Sequence, residues 1–112
     1  MTKKLVQTVQ GLLERDVNPN ETMRQLLHFG NGRILSWGMT TRTNFQNKGL
    51  LLKVSGHHHK GYVLIVLGWD DVYKFHLIST HGVLKQSVEG VYFDELFDKI
   101  DKKIEFIPEY TH

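Results

Sequence analysis

The first thirty residues place apolar side chains at the spacing of helices. The first apolar stripe consists of Leu5, Val6, Val9, Leu12 and Leu13. This spacing of three and four residues predicts an amphipathic helix, which the stretch DVNPN ends. A second helix is predicted to begin at once, with Asn18 as its N-cap, Pro19 in its first turn and Glu21 three residues after the cap. Gly30 supplies its end, so residues 1–30 are predicted to form a helical hairpin.

From residue 33 the pattern changes to short apolar runs separated by turn residues, which is typical of an antiparallel meander. The predicted strands are RILSWGMT (33–40), LLLKVS (50–55), GYVLIVLGW (61–69), VYKFHLIST (72–80) and VLKQSV (83–88). The stretch TRTNFQNKG, between the first two runs, is predicted to be a polar connection. The third run is apolar at every position from Tyr62 to Leu67, so both of its faces need to be covered.

The last apolar stripe predicts an amphipathic helix at residues 91–105. It consists of Phe93, Leu96, Phe97, Ile100 and Ile104. Asp94 and Glu95 would lie in its first turn and Lys102 and Lys103 in its last, as the helix dipole favours. This helix is predicted to cover one sheet face, while the other is met by the N-terminal helices or by a second copy of the chain. The order of elements predicts a single α+β domain over residues 1–112, with the sheet at 33–88.

Composition restricts the function classes. The 112 residues match the size of one domain, and no apolar run is long enough to span a bilayer. Because the chain contains no cysteine, disulfides, thiolate metal sites and a thiol nucleophile are excluded. The N-terminal stretch has no signal-peptide core, so we expect a cytoplasmic protein. No motif for a phosphate-bearing cofactor is present, and none is predicted.

Basic residues concentrate in the N-terminal half. Residues 1–48 carry seven basic and three acidic groups, whereas the whole chain has a net charge of +2. Two short helices with a tight join are similar to a helix-turn-helix, so Arg24, Arg33 and Arg42 are candidate nucleic-acid contacts. A plain helical hairpin packed on the sheet explains the same pattern, and the acidic residues nearby oppose the approach of phosphates.

Three consecutive histidines stand in SGHHHKG, between two strongly apolar strands. Glycines on both sides and polar residues between them predict a solvated hairpin turn. In extended chain only His57 and His59 point to the same side, and no further ligand is near in sequence. We therefore predict opportunistic nickel or zinc binding by His57 and His59 and no dedicated metal site.

Two further groups of residues are candidates for a catalytic or binding role. Ser79 and His81 in ISTHG follow Asp70 and Asp71 by one hairpin, but no nucleophile-elbow motif is present, and we predict turn residues without catalysis. The aromatic residues on the predicted strands or at their ends are Trp37, Phe45, Trp69, Tyr73 and Phe75. Most are expected in the core. Trp37, which precedes Gly38, is the candidate for an exposed ring that faces a partner.

The sequence between residues 37 and 105 resembles small uncharacterised proteins encoded on bacterial mobile genetic elements. The resemblance is carried by V-x-G followed by K-G-Y-V (residues 54–63), D-x-Y (71–73) and V-Y-x-D-x-L-x-x-x-I-D (91–101). It implies a bacterial, cytoplasmic context and an accessory or regulatory binding role, without a known activity.

Taken together, these patterns predict a small non-catalytic interaction module. Its partner would be another protein or a second copy of the chain, with a homodimer as the first form to expect. The alternative is a nucleic-acid-binding protein that uses the basic N-terminal helix pair.

Overall fold

Five antiparallel strands, neighbouring one another in chain order, form one sheet on which three helices pack. The computed structural model describes residues 3–30, 37–56 and 59–104. The elements are α1 (Lys3–Leu12), α2 (Pro19–Gly30), β1 (Thr41–Phe45), β2 (Gly49–Ser55), β3 (Lys60–Leu67), β4 (Tyr73–Ser79), β5 (Leu84–Val91) and α3 (Leu96–Ile104). The predicted α+β class, with an antiparallel meander between helices, is confirmed.

Helix α2 begins and ends as its sequence predicts. The Oδ1 atom of Asn18 accepts a hydrogen bond from the backbone N–H of Asn20 at 3.0 Å, which satisfies a free donor of the first turn. At the other end, a Cβ atom on Gly30 would lie 2.6 Å from the ring of Phe97. Glycine is therefore required here because α2 and α3 approach each other closely.

The first predicted strand is wrong. Residues 37–40 do not form a strand and residues 33–36 lie outside the described part of the chain, while β1 occupies the stretch predicted as a polar connection. As an edge strand, β1 pairs only with β2 and is largely exposed, so it has no apolar alternation to recognise. Gln46 and Asn47, both with positive φ (58° and 54°), form the tight turn into β2.

The two faces of β3 are covered by different helices. Val63 and Ile65 belong to the core cluster on the α2 and α3 side, whereas Leu64 and Val66 belong to the cluster that contains Leu5 and Val9 of α1. The prediction that β3 is buried on both faces is confirmed, and α1 provides the second cover. The predicted helical hairpin is wrong, because α1 and α2 pack on opposite faces of the sheet.

The connection between α1 and α2 passes the β1–β2 turn. The backbone N–H of Val17 donates a hydrogen bond to the carbonyl oxygen of Asn47 at 2.9 Å. Lys74 Nζ lies 3.0 Å from a carboxylate oxygen of Glu14, which also belongs to this connection. Helix α1 is itself held where Thr8 Oγ1 donates a hydrogen bond to the carbonyl oxygen of Gly82 at 2.7 Å. These contacts hold α1 and its connection against the sheet at both ends.

Helix α3 begins later than predicted. The segment from Tyr92 to Glu95 forms a turn, in which a carboxylate oxygen of Glu95 accepts the backbone N–H of Tyr92 at 3.1 Å. Asp94 and Glu95 therefore precede the helix. The apolar stripe from Leu96 to Ile104 is buried as expected, but Phe93 is exposed, which corrects its assignment to the core.

A buried histidine lies on the sheet face that α1 covers. Its Nδ1 atom is 2.7 Å from Ser87 Oγ, and Nε2 is buried without a hydrogen-bond partner among the described residues. Burial lowers the pKa of His76 below its ordinary value of 6.5, an effect that the Glu14 carboxylate opposes and the Lys74 ammonium group reinforces. His76 is therefore held in its neutral form.

We expect the substitution Leu64→Ala to lower the free energy of unfolding by about 2–5 kcal/mol, because it leaves a cavity in the fully buried layer between β3 and α1. The matched control is Leu84→Ala, which shortens a leucine that is exposed on β5 and should cost less than about 1 kcal/mol. Urea unfolding of both variants measures the difference. Equal losses would contradict the burial of this face.

We also expect acid to destabilise the fold through His76. Above pH 6.5, the ordinary pKa of histidine, the side chain is neutral in both the folded and the unfolded chain. Below that pH the unfolded chain binds a proton before the folded chain does. The free energy of unfolding therefore falls as the pH falls, until the pH reaches the pKa of the folded state. The substitution His76→Gln should reduce the loss in melting temperature between about pH 7.5 and about pH 5.5. The exposed control His81→Gln should leave that loss unchanged, and an unaltered loss in His76→Gln would refute the assignment.

Candidate functional site

The residues considered for hydrolytic chemistry do not converge. Asp70 and Asp71 lie in the turn before β4, whereas Ser79 and His81 lie at its other end. The seven residues of β4 separate the two groups by roughly 20 Å. The Oγ atom of Ser79 accepts the backbone N–H groups of His81 and Val83 at 3.2 and 3.0 Å. These residues therefore shape a turn, as predicted.

The histidine turn differs from its prediction. His57 lies outside the described residues, but His59 is only 4% exposed, so the expectation of a solvated side chain is wrong for this residue. Its Nε2 atom lies 3.0 Å from the carbonyl oxygen of Tyr62, and Gly56 N–H donates to the His59 carbonyl at 3.0 Å. These two bonds fold the side chain inward, and burial lowers its pKa. Within residues 3–30, 37–56 and 59–104, no three side chains of the metal-binding types converge.

Three of the six described basic residues of the N-terminal half form ion pairs with described carboxylates. The ion pairs are Arg15–Asp71, Arg24–Glu21 and Lys48–Asp16. Arg33 lies outside the described residues, and Arg42 is exposed on the edge strand β1. Since α1 and α2 lie on opposite sheet faces, the predicted resemblance to a helix-turn-helix is wrong. The candidate nucleic-acid contacts are therefore not gathered on one pair of helices.

The two tryptophans have the opposite environments to those predicted. Trp37 is fully buried, stacks on Phe97 with ring centroids 4.8 Å apart, and donates its indole N–H to Asp101 at 2.9 Å. The prediction of an exposed Trp37 ring is wrong because α3 packs over it. Trp69, expected in the core, is 75% exposed because it lies in the turn between β3 and β4.

An exposed apolar surface lies where α2 and the segment before α3 meet. Tyr92 and Phe93 are 61% and 53% exposed, and Phe29 of α2 is 36% exposed. The rings of Phe29 and Phe93 meet edge-on, with centroids 5.8 Å apart. We call Phe29 and Phe93 the aromatic patch. The sequence pattern did not predict it, because the spacing of Phe93 to Phe97 assigned Phe93 to the buried stripe.

A pocket of about 370 Å³ opens beside the aromatic patch. Its lining residues are Glu21, Arg24, Gln25, His28, Phe29 and Phe93. The Oε1 atom of Gln25 is buried without a hydrogen-bond partner among the described residues. The imidazole of His28 packs edge-on to Phe29, with ring centroids 4.8 Å apart. The pocket thus combines aromatic walls with polar side chains, which suits an apolar side chain of a partner.

Comparisons with known proteins do not narrow the function further. No helix in the described part of the chain has both the length and the apolar character that a membrane span requires. Searches of protein-family models, curated proteins and solved structures found no match for the chain. The exposed surfaces of the molecule are therefore what indicates its function.

Proposed function

We propose that the chain is a non-catalytic protein–protein interaction module that binds its partner through the aromatic patch. The observation that carries this proposal is the contact between two exposed rings, Phe29 and Phe93, on the surface. Aromatic side chains are enriched in the buried centre of protein interfaces, where each ring contributes a large contact area at little cost in conformational entropy. Such a surface supports an accessory or regulatory binding role.

The pocket beside the patch indicates what the partner presents. An apolar side chain of the partner would bury against the rings of Phe29 and Phe93. Removing these rings from water contributes more binding free energy than removing the polar surface nearby. We therefore propose a peptide segment with an aliphatic or aromatic anchor as the recognised element.

Self-association is one form of the same proposal. The apolar sheet face that would have required a second copy is covered by α1, so a dimer would have to form elsewhere. The aromatic patch is the surface available for it. A homodimer would then depend on Phe29 and Phe93 and not on the residues of β3.

The test begins with peptides selected against the protein from a random library, followed by fluorescence anisotropy of the selected peptides. We expect them to be rich in apolar residues and to bind at least about tenfold more weakly to Phe93→Ala and to Phe29→Ala, as truncation of an interface hot spot implies. Trp69→Ala is the matched control, because it removes an exposed aromatic ring outside the patch. Melting curves establish that the variants are folded.

Unaltered binding by both phenylalanine variants, or an equal loss in Trp69→Ala, would exclude the patch as the binding surface. Light scattering measures whether the chain is a monomer or a dimer. A dimer that dissociates on Phe93→Ala supports the patch with a second copy as partner, whereas a dimer that survives this change places the interface elsewhere and contradicts the proposal.

A further inference from the structure

A second surface lies on the other flank of α3, where the helix borders strand β5. Lys99, Lys102 and Lys103 of α3 and Val88 of β5 line an opening of about 330 Å³. The three lysines share one flank, because residues three and four apart in a helix are neighbours. All three are exposed, whereas Val88 is half-buried and forms an apolar floor. We call this surface the lysine cleft.

The three lysines of the lysine cleft form no ion pair with the described residues. No carboxylate of the described residues forms an ion pair with any of the three ammonium groups. Two carboxylates of the same segment are engaged elsewhere: Glu95 accepts the backbone N–H of Tyr92, and Asp101 accepts the indole N–H of Trp37. Three like charges therefore stand around one apolar floor.

The helix dipole accounts for only part of this arrangement. Lys102 and Lys103 lie in the last turn of α3, where the dipole favours cations, but Lys99 lies one turn earlier. Lys99 and Lys103 are four residues apart, and like charges at this spacing repel each other and destabilise a helix. A negatively charged partner would reverse this repulsion.

We infer that the lysine cleft binds an acidic, extended segment of a partner protein. Strand β5 is at the edge of the sheet and pairs only with β4, so an extended segment has room to lie along its outer side. Carboxylates of the segment would meet the ammonium groups, and an aliphatic side chain would pack on Val88. This inference goes beyond the proposed function, because it concerns a separate surface and does not depend on the aromatic patch.

The size and floor of the cleft favour a peptide over a nucleic acid. A nucleic-acid surface commonly neutralises about six to ten phosphates, whereas this cleft offers three cations. No aromatic ring is among its lining residues, so unpaired bases would find no stacking platform there. An apolar floor between separate cations suits alternating acidic and aliphatic side chains.

The probe is a fluorescein-labelled peptide of about eight residues that alternates glutamate with valine, the length of an ordinary strand. Its partner peptide carries glutamine in place of glutamate. Fluorescence anisotropy with the full chain, at about 25 mM and about 150 mM salt, should show that only the glutamate peptide binds and that added salt weakens it. The double variant Lys99→Gln with Lys103→Gln should bind about fivefold to tenfold more weakly, since each exposed ion pair contributes a factor of up to about five.

The matched control is Lys4→Gln with Lys60→Gln, which removes the same charge from exposed lysines of other elements and should leave binding unchanged. Phe93→Ala should also leave it unchanged, which separates this result from a failure of the aromatic patch. Equal binding of the glutamine peptide, equal binding by the Lys99 and Lys103 variant, or tighter lysine-dependent binding of an oligothymidylate of matched charge would each overturn the inference.

Discussion

Strand β3 carries apolar side chains on both faces, and the burial of both faces determines where all three helices lie. The sheet separates its two apolar layers, so one helix cannot cover both. Helices α2 and α3 pack over Val63 and Ile65, which leaves α1 for Leu64 and Val66. The connection from α1 to α2 must therefore pass the edge of the sheet, where the backbone of Val17 bonds to the β1–β2 turn. Two helices adjacent in sequence therefore lie on opposite faces of the sheet, because both faces of β3 must be buried.

This arrangement also determines which helix keeps exposed surface that a partner can contact. Helix α1 uses its apolar stripe on the sheet, and its connection is tied down by ion pairs such as that of Glu14 with Lys74. Helix α3 buries its stripe against the sheet and against Trp37, and it approaches α2 closely where Phe97 meets Gly30. The aromatic patch lies before its first residue, and the lysine cleft lies along its exposed lysines. The two proposed binding surfaces therefore lie at the junction of α2 with α3 and along α3.

Sequence patterns predicted the elements whose burial leaves a regular arrangement of apolar residues. The continuous apolar run of β3 and the helical stripe of α3 are direct consequences of burial, so periodicity finds them. Edge strand β1 leaves no such trace. Trp37 and Trp69 both stand beside a glycine near a strand, yet one is buried and the other exposed. That difference depends on Phe97, far away in sequence, and no local pattern contains it.

The candidate site was beyond prediction for a related reason, which is the position at which α3 begins. Had the helix begun at residue 91, the spacing of Phe93 to Phe97 would have directed both rings into the core. The carboxylate of Glu95 instead accepts the N–H of Tyr92, the chain turns there, and the first helical residue is Leu96. Phe93 leaves the buried stripe and meets Phe29 of α2. Because helix ends are the part of an element that sequence determines least, a shift of the helix start by about one turn separates a buried side chain from an exposed one.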